Sequence, residues 1–298
     1  MSALRARMRA VTSAICGFKG IAYLARIARE ADGPGLLTVL ACKHEYTNRA
    51  HCAAPDVSTV DPAASTALDL RRHPDQSTLM DAVAGIVEGA LGDALAARGE
   101  ASIAVPGGRT PVPLFERLAR CPLDWARVHV TLTDERAVPV TEATSNERLV
   151  REHLLQGAAA GARFYPLMNG YEDPSVRAET AWSQIAWLPR PFDVVVLGMG
   201  EDGHFASLFP RMPGLAAALD PDVAPACVAA CAPVAPQARI SLNLASLLDT
   251  RLLLLPVVGP AKREVLERAL QAGAQEDLPI RALLRQSRLP LQVHHADA

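Results

Sequence analysis

The sequence predicts a three-layer α/β fold, a mostly parallel Rossmann-like sheet with helices on both faces. Short runs of near-continuous apolar residues alternate with amphipathic segments, as expected for parallel strands covered on both sides. Each apolar run also ends at a glycine-rich or charged segment. Half of the 298 residues are hydrophobic, enough for a sizeable core in a chain of this length. The expected organisation is an N-terminal extension over residues 1–66 and a single α/β domain over residues 67–298.

The extension stands apart in composition. Arg5, Arg7, Arg9, Lys19, Arg26 and Arg29 precede the first acid, Glu30, and a Gly/Pro/Ala/Ser-rich stretch follows. An Arg-rich, acid-poor start resembles an organellar transit peptide, but a poorly structured extension or a start assigned too far upstream accounts for it equally well.

From Leu68 onward the pattern is regular. Thr78-x-x-Asp81 has the form of a capping box, and Leu79, Val83, Ile86, Ala90 and Leu91 recur at helical spacing until Arg98-Gly99 ends the helix. Ser102–Val105 follows as a strand and stops at Pro106-Gly-Gly-Arg-Thr-Pro111, where Thr110 is the expected N-cap and Pro111 the first helical residue. Val128–Leu132 is a second strand, ending at the charged loop Asp134-Glu-Arg136, and Ser145-Asn146 opens another helix. Phe192–Leu197 is a third strand, ending at Gly198-Met-Gly-Glu-Asp-Gly-His204. Leu252 through Val258 is a fourth, and Gly259-Pro-Ala-Lys262 leads into a helix reaching Leu270.

Bulk properties remove several function classes. A formal charge of -2 argues against a nucleic-acid coat or a polybasic membrane surface. The six cysteines, Cys16, Cys42, Cys52, Cys121, Cys227 and Cys231, lack CxxC pairs and zinc-ligand spacing. They fit reduced thiols, and no metal is expected. Lys19 interrupts the apolar run from Val11 to Ala28, which is too broken for a membrane span or secretory segment. A cytoplasmic protein is expected.

The strand ends matter because open α/β sheets bind ligands at the carboxyl ends of their strands. Gly107 and Gly108 let backbone N–H groups approach an anion, and the helix after Thr110 adds a favourable dipole. Asp134 and Arg136 offer a carboxylate and a guanidinium suited to sugar and phosphate oxygens. Gly198-x-Gly-x-x-Gly203 has the spacing of a dinucleotide fingerprint, but that fingerprint needs a long helix after its last glycine. Pro210 and Pro213 leave no room for one. The same glycines can instead hold Asp202 and His204 at the crevice mouth, where histidine suits proton transfer near neutrality. His129, His153, His294 and His295 fit structural roles. Arg239 and Lys262 can bring positive charge to an anionic ligand.

Taken together, Val105-Pro-Gly-Gly-Arg-Thr-Pro111, Asp134-Glu-Arg-Ala-Val-Pro139 with Ser145-Asn146, and Leu197-Gly-Met-Gly-Glu-Asp-Gly-His-Phe-Ala-Ser-Leu-Phe-Pro210 resemble the 6-phosphogluconolactonase family. Arg239-Ile-Ser-Leu and Gly259-x-x-Lys262 complete the pattern in order, and the resemblance spans roughly residues 67–290. It implies the fold shared with glucosamine-6-phosphate isomerase/deaminase and hydrolysis of 6-phospho-D-glucono-1,5-lactone without metal or other cofactor. The partner would be a small phosphorylated sugar lactone, and the enzyme a monomer or homodimer. His204 would be the general base, with Asp202 orienting its ring and Arg136 stabilising charge at the carbonyl or the phosphate. Gly107, Gly108, Arg109, Thr110, Asp134, Asn146, Arg239 and Lys262 would contact substrate. The family usually has serine where this chain has Pro106 and Arg109: Pro106 removes one backbone donor, and Arg109 brings a permanent cation.

Other activities place different demands on the same residues. The deaminase branch typically carries Asp-Glu-Tyr at the second motif and Asn-Glu-Pro at the end of the third. Here Asp134-Glu-Arg136 and Leu208-Phe-Pro210 stand in those places, and Phe209 leaves no carboxylate there to partner the histidine in ring opening. A sugar-phosphate-sensing regulator would need a helix pair with a basic recognition face, which residues 1–66 do not show, and it would not need His204.

Overall fold

The computed structural model describes residues 68–168 and 173–297. The extension expected over residues 1–66 lies outside them, as do Cys16, Cys42 and Cys52. A seven-stranded parallel sheet forms the centre, in the order β1 (Asp69–Arg72), β10 (Leu291–Ala296), β9 (Leu253–Val258), β6 (Val194–Val196), β2 (Ala101–Val105), β3 (Val128–Leu132) and β5 (Arg163–Tyr165). All residues of β2, β3 and β6 are buried, which explains their largely apolar character; the polar exceptions Ser102, His129 and Thr131 are buried with them. Helices cover both faces, as expected. Phe115, Phe192 and Phe205 are among the largest side chains fully enclosed in the core.

The connections dictate where a ligand can enter. After β2 the chain moves outward to β3 and β5, whereas after β6 it moves the other way to β9 and β10. The loops leaving the adjacent strands β2 and β6 therefore diverge and open a crevice at their carboxyl ends.

Two helix starts differ from expectation. Helix α1 (Gln76–Arg98) is capped by Asp75, whose carboxylate accepts from Thr78 N at 2.7 Å. Thr78 thus supplies a donor and is not the cap. Helix α1 ends as expected at Gly99, whose left-handed φ of 77° lets its N–H reach Leu95 O. Helix α2 (Val112–Leu118) has Pro111 at its cap position and no side-chain capping bond. The Thr110 hydroxyl accepts instead from Lys262 Nζ, at 3.2 Å.

Asp134-Glu-Arg136 is not a loop. It is strand β4 (Asp134–Arg136) of a second, antiparallel sheet ordered β4, β8 (Ala238–Leu242), β7 (Cys227–Cys231), with Arg136 directly opposite Arg239. Helix α3 (Asn146–His153) follows, capped by Ser145. Among the described residues, the remaining α-helices are α4 (Pro174–Ile185), α5 (Leu215–Ala218), α6 (Leu244–Leu248), α7 (Pro260–Leu270) and α8 (Ile280–Arg285). Among the described residues, no helix is long and apolar enough to cross a membrane.

Candidate active site

The crevice between the β2 and β6 loops has a volume of about 300 Å³. Gly107, Gly108, Arg109 and Thr110 enter it from the loop after β2, and His204 from the loop after β6. Asp134 and Arg136 reach it from β4, Arg239 from β8, Asn146 from the first turn of α3 and Lys262 from the first turn of α7. Residues separated by more than 150 positions thus meet in one cleft. Asp202 stands behind His204.

His204 Nδ1 lies 2.5 Å from Asp202 Oδ1, and the His204 amide donates to the same oxygen at 3.2 Å. Donation from Nδ1 to the carboxylate leaves Nε2 with the ring's lone pair. Burial raises the Asp202 carboxyl, but its hydrogen bonds and charge interaction with His204 outweigh that and hold it below the usual range. On another side the Phe209 ring lies 4.3 Å from the His204 ring, centroid to centroid. The glycines have a specific purpose here. A Cβ on Gly200 would lie 2.3 Å from His204 Cε1 and 2.5 Å from Asp202 Oδ1, so only glycine lets the loop fold tightly over the pair. Gly203 has a φ of 77°, which favours glycine, and its carbonyl accepts from Ile280 N at 2.8 Å.

The opposite wall is built around Gly107. A Cβ there would lie 1.8 Å from Asn146 Oδ1, and Asn146 Nδ2 donates to Asp134 O at 2.8 Å. Gly108 adopts a φ of 85°. Arg109 borders the crevice but is exposed. Lys262 is half-buried beside Thr110, and burial lowers its pKa from the ordinary lysine value while Glu201 opposes that shift.

The crevice floor carries two arginines and one carboxylate. Arg136 donates to Thr144 O. Arg239 is buried, its Nε has no hydrogen-bond partner, and burial followed by the nearby Arg136 lowers its pKa. Asp134 accepts from Ser207 Oγ at 2.5 Å and from Thr133 Oγ1 at 3.3 Å. Two like charges facing one cleft favour an anionic occupant.

Ser207 lies within the third motif and also lines the crevice, but its residue type and spacing give the sequence no signal of that role. Among the described residues, His73, His129, His153, His294 and His295 do not line it. Buried His129 stacks on Tyr165 and its pKa is lowered by burial, whereas His294 is pushed down to about 4 by burial and then by His73. Among the described residues, no group of three or more His, Cys, Asp or Glu side chains could hold a metal ion.

A family model described as glucosamine-6-phosphate isomerases/6-phosphogluconolactonase matches residues 74–291. The chain belongs to this family. It is 45% identical over 220 residues to the 6-phosphogluconolactonase of Rhizobium meliloti (strain 1021), covering 74% of this chain and 95% of that relative. Over 212 residues it is also 45% identical to the 6-phosphogluconolactonase of Pseudomonas aeruginosa, covering 71% of this chain and 88% of the relative. Among solved structures, a 6-phosphogluconolactonase from Shewanella baltica matches with a TM-score of 0.74 at 40% identity, covering 78% of this chain and 98% of that one. A monomeric glucosamine-6-phosphate deaminase matches with a TM-score of 0.63 at 17% identity, a likeness of fold alone.

Proposed function

We propose that this enzyme hydrolyses 6-phospho-D-glucono-1,5-lactone to 6-phospho-D-gluconate, with His204 as the base that activates water. Lactone hydrolysis accords with its family and with relatives of that name covered over most of their length. The role of His204 rests on the Nδ1 contact with Asp202, which presents Nε2 as the acceptor. In this mechanism a water gives its proton to Nε2 while its oxygen bonds to the lactone carbonyl carbon, forming a tetrahedral oxyanion. The bond from that carbon to the ring oxygen then breaks, and the imidazolium returns its proton to the departing oxygen. Asp202 stabilises the imidazolium between the two steps.

Charge placement divides the remaining roles. Lys262, Thr110 and the Gly107-Gly108 backbone suit the phosphate, since a cation, a hydroxyl and close-approaching amides converge there. Arg136 and Arg239 suit the oxyanion side of the crevice, and Asp134 and Asn146 the sugar hydroxyls. A cytoplasmic location is part of the same proposal, supported by the scattered cysteines that lack CxxC pairs.

The test uses freshly prepared lactone, with spontaneous opening subtracted and the unphosphorylated lactone as control. His204→Ala should lower kcat about 10²- to 10⁴-fold, the usual contribution of a positioned acid/base, while the variant retains its fold by circular dichroism. Unchanged hydrolysis by the folded variant would remove His204 from the mechanism.

A further inference from the structure

Glu135 is 1% exposed, yet its neighbours Asp134 and Arg136 line the crevice. Because side chains alternate along a strand, Glu135 points the other way, into the start of α3. Its Oε1 accepts from Arg136 N at 2.6 Å and Asn146 N at 2.7 Å, and its Oε2 accepts from Glu147 N at 2.7 Å and Ser145 Oγ at 3.2 Å. All four donors are amides or a hydroxyl. Helix α3 already has its local cap, Ser145 Oγ accepting from Arg148 N. A buried carboxylate without a hydrogen-bonded cation is a costly addition if its purpose is stability alone.

What this carboxylate fixes is the placement of Asn146. From that position Asn146 bonds Asp134 O and abuts Gly107 so closely that no Cβ fits between them. Glu135 therefore links the strand bearing Asp134 and Arg136, on the crevice floor, to the glycine loop beside it.

We infer that Glu135 is a positioning residue for substrate binding, which holds the first turn of α3 so that Asn146 sets the spacing between the glycine loop and the crevice floor. The inference rests on the lactonase reading above. It assigns Glu135 no contact with substrate and no part in proton transfer, because the His204–Asp202 pair stands on a different loop.

Glu135→Gln keeps the side chain's size but turns an amide NH₂ toward one pair of the donors it now accepts. In steady-state assays KM should rise about tenfold, the scale of one buried charge-assisted hydrogen bond lost, with kcat changed by less than about twofold. Calorimetric titration with 6-phosphogluconate should show the same loss of affinity. Because Glu135 acts through Asn146, adding Asn146→Ala to Glu135→Gln should raise KM no further than Asn146→Ala alone. If Glu135→Gln fails to fold, Glu135→Asp retains the charge but falls one methylene short, and the same rise in KM is expected. Unchanged KM in the folded variant overturns the inference, as does additive behaviour in the double variant or a fall in kcat that matches lost active protein. Absence of lactone hydrolysis by the unsubstituted enzyme would instead sink the lactonase reading, so the two failures are distinguishable.

Discussion

His204 Nδ1 and Asp202 Oδ1 lie 2.5 Å apart, two residues from each other in sequence and held by the loop that follows β6. The contact fixes both the tautomer and the angle of the ring, and Asp202→Asn would keep the shape while removing the charge. We expect kcat to fall about 10- to 100-fold with KM nearly unchanged, because the lost interaction strengthens when the ring becomes cationic. The stability effect has a defined sign. The folded Asp202 carboxyl lies below its ordinary value, so the folded state binds fewer protons in acid. Its contribution to stability is fully present above the ordinary aspartate value of about 4 and lost as pH falls through the lower folded value. Denaturation of both proteins between about pH 2 and 7 should show a difference that is constant near neutrality and shrinks in acid.

Gly200→Ala tests the loop that supports this pair. Its new Cβ would fall 2.3 Å from the His204 ring, so the ring must move. Displacements of about 1 Å at a reacting group typically cost about 10²-fold in rate. We expect that loss in kcat, with normal product binding in a calorimetric titration and a modest fall in melting temperature. Wild-type kcat would mean that the loop relaxes without disturbing the histidine.

The central strands were legible in the sequence because β2, β6 and β9 are apolar almost throughout and β3 is mostly so, and burial on both faces leaves them little choice. Strand β1 was not. Asp69-Leu-Arg-Arg72 pairs on only one side, at the sheet edge, and keeps polar side chains. The antiparallel sheet was hidden for a related reason. Asp134-Glu-Arg136 has the composition of a solvated loop, and only the register with β8 places Arg136 against Arg239. The candidate site was more legible than the fold around it, since its glycines, His204 and Lys262 lie next to recognisable strand ends. Glu135 could not be found that way. Its partners lie one residue away and 10 to 12 residues away, and no periodicity announces a carboxylate turned back onto a helix start.

Lys262 links activity and stability with opposite signs. Burial lowers its folded pKa, so it loses its proton below the usual lysine value of about 10.4. kcat/KM for the phosphorylated lactone should fall along that alkaline limb as the cation disappears. Over the same range, between the folded and unfolded values, the folded state binds fewer protons and stability should rise with pH. Lys262→Met should remove the limb and raise KM about 10²-fold, as expected for loss of a charge-assisted phosphate contact, without lowering the melting temperature. Equal KM values for Lys262→Met and the unsubstituted enzyme would move the phosphate elsewhere in the crevice.

Gly107 and Asn146 make a reciprocal prediction. A methyl group at position 107 would collide with the Asn146 carboxamide at 1.8 Å, an approach no rotamer change of a methyl can relieve. Gly107→Ala should therefore destabilise the fold by about 1–3 kcal/mol, the usual range for overpacking, and raise KM. Asn146→Ala on that background removes the obstructing side chain, so thermal denaturation should recover most of the lost stability. Substrate affinity should not recover, because Asn146 no longer spans from the glycine loop to Asp134 O. Recovery of both would show that Gly107 is needed only for space. Recovery of stability alone identifies the contact as part of the binding wall.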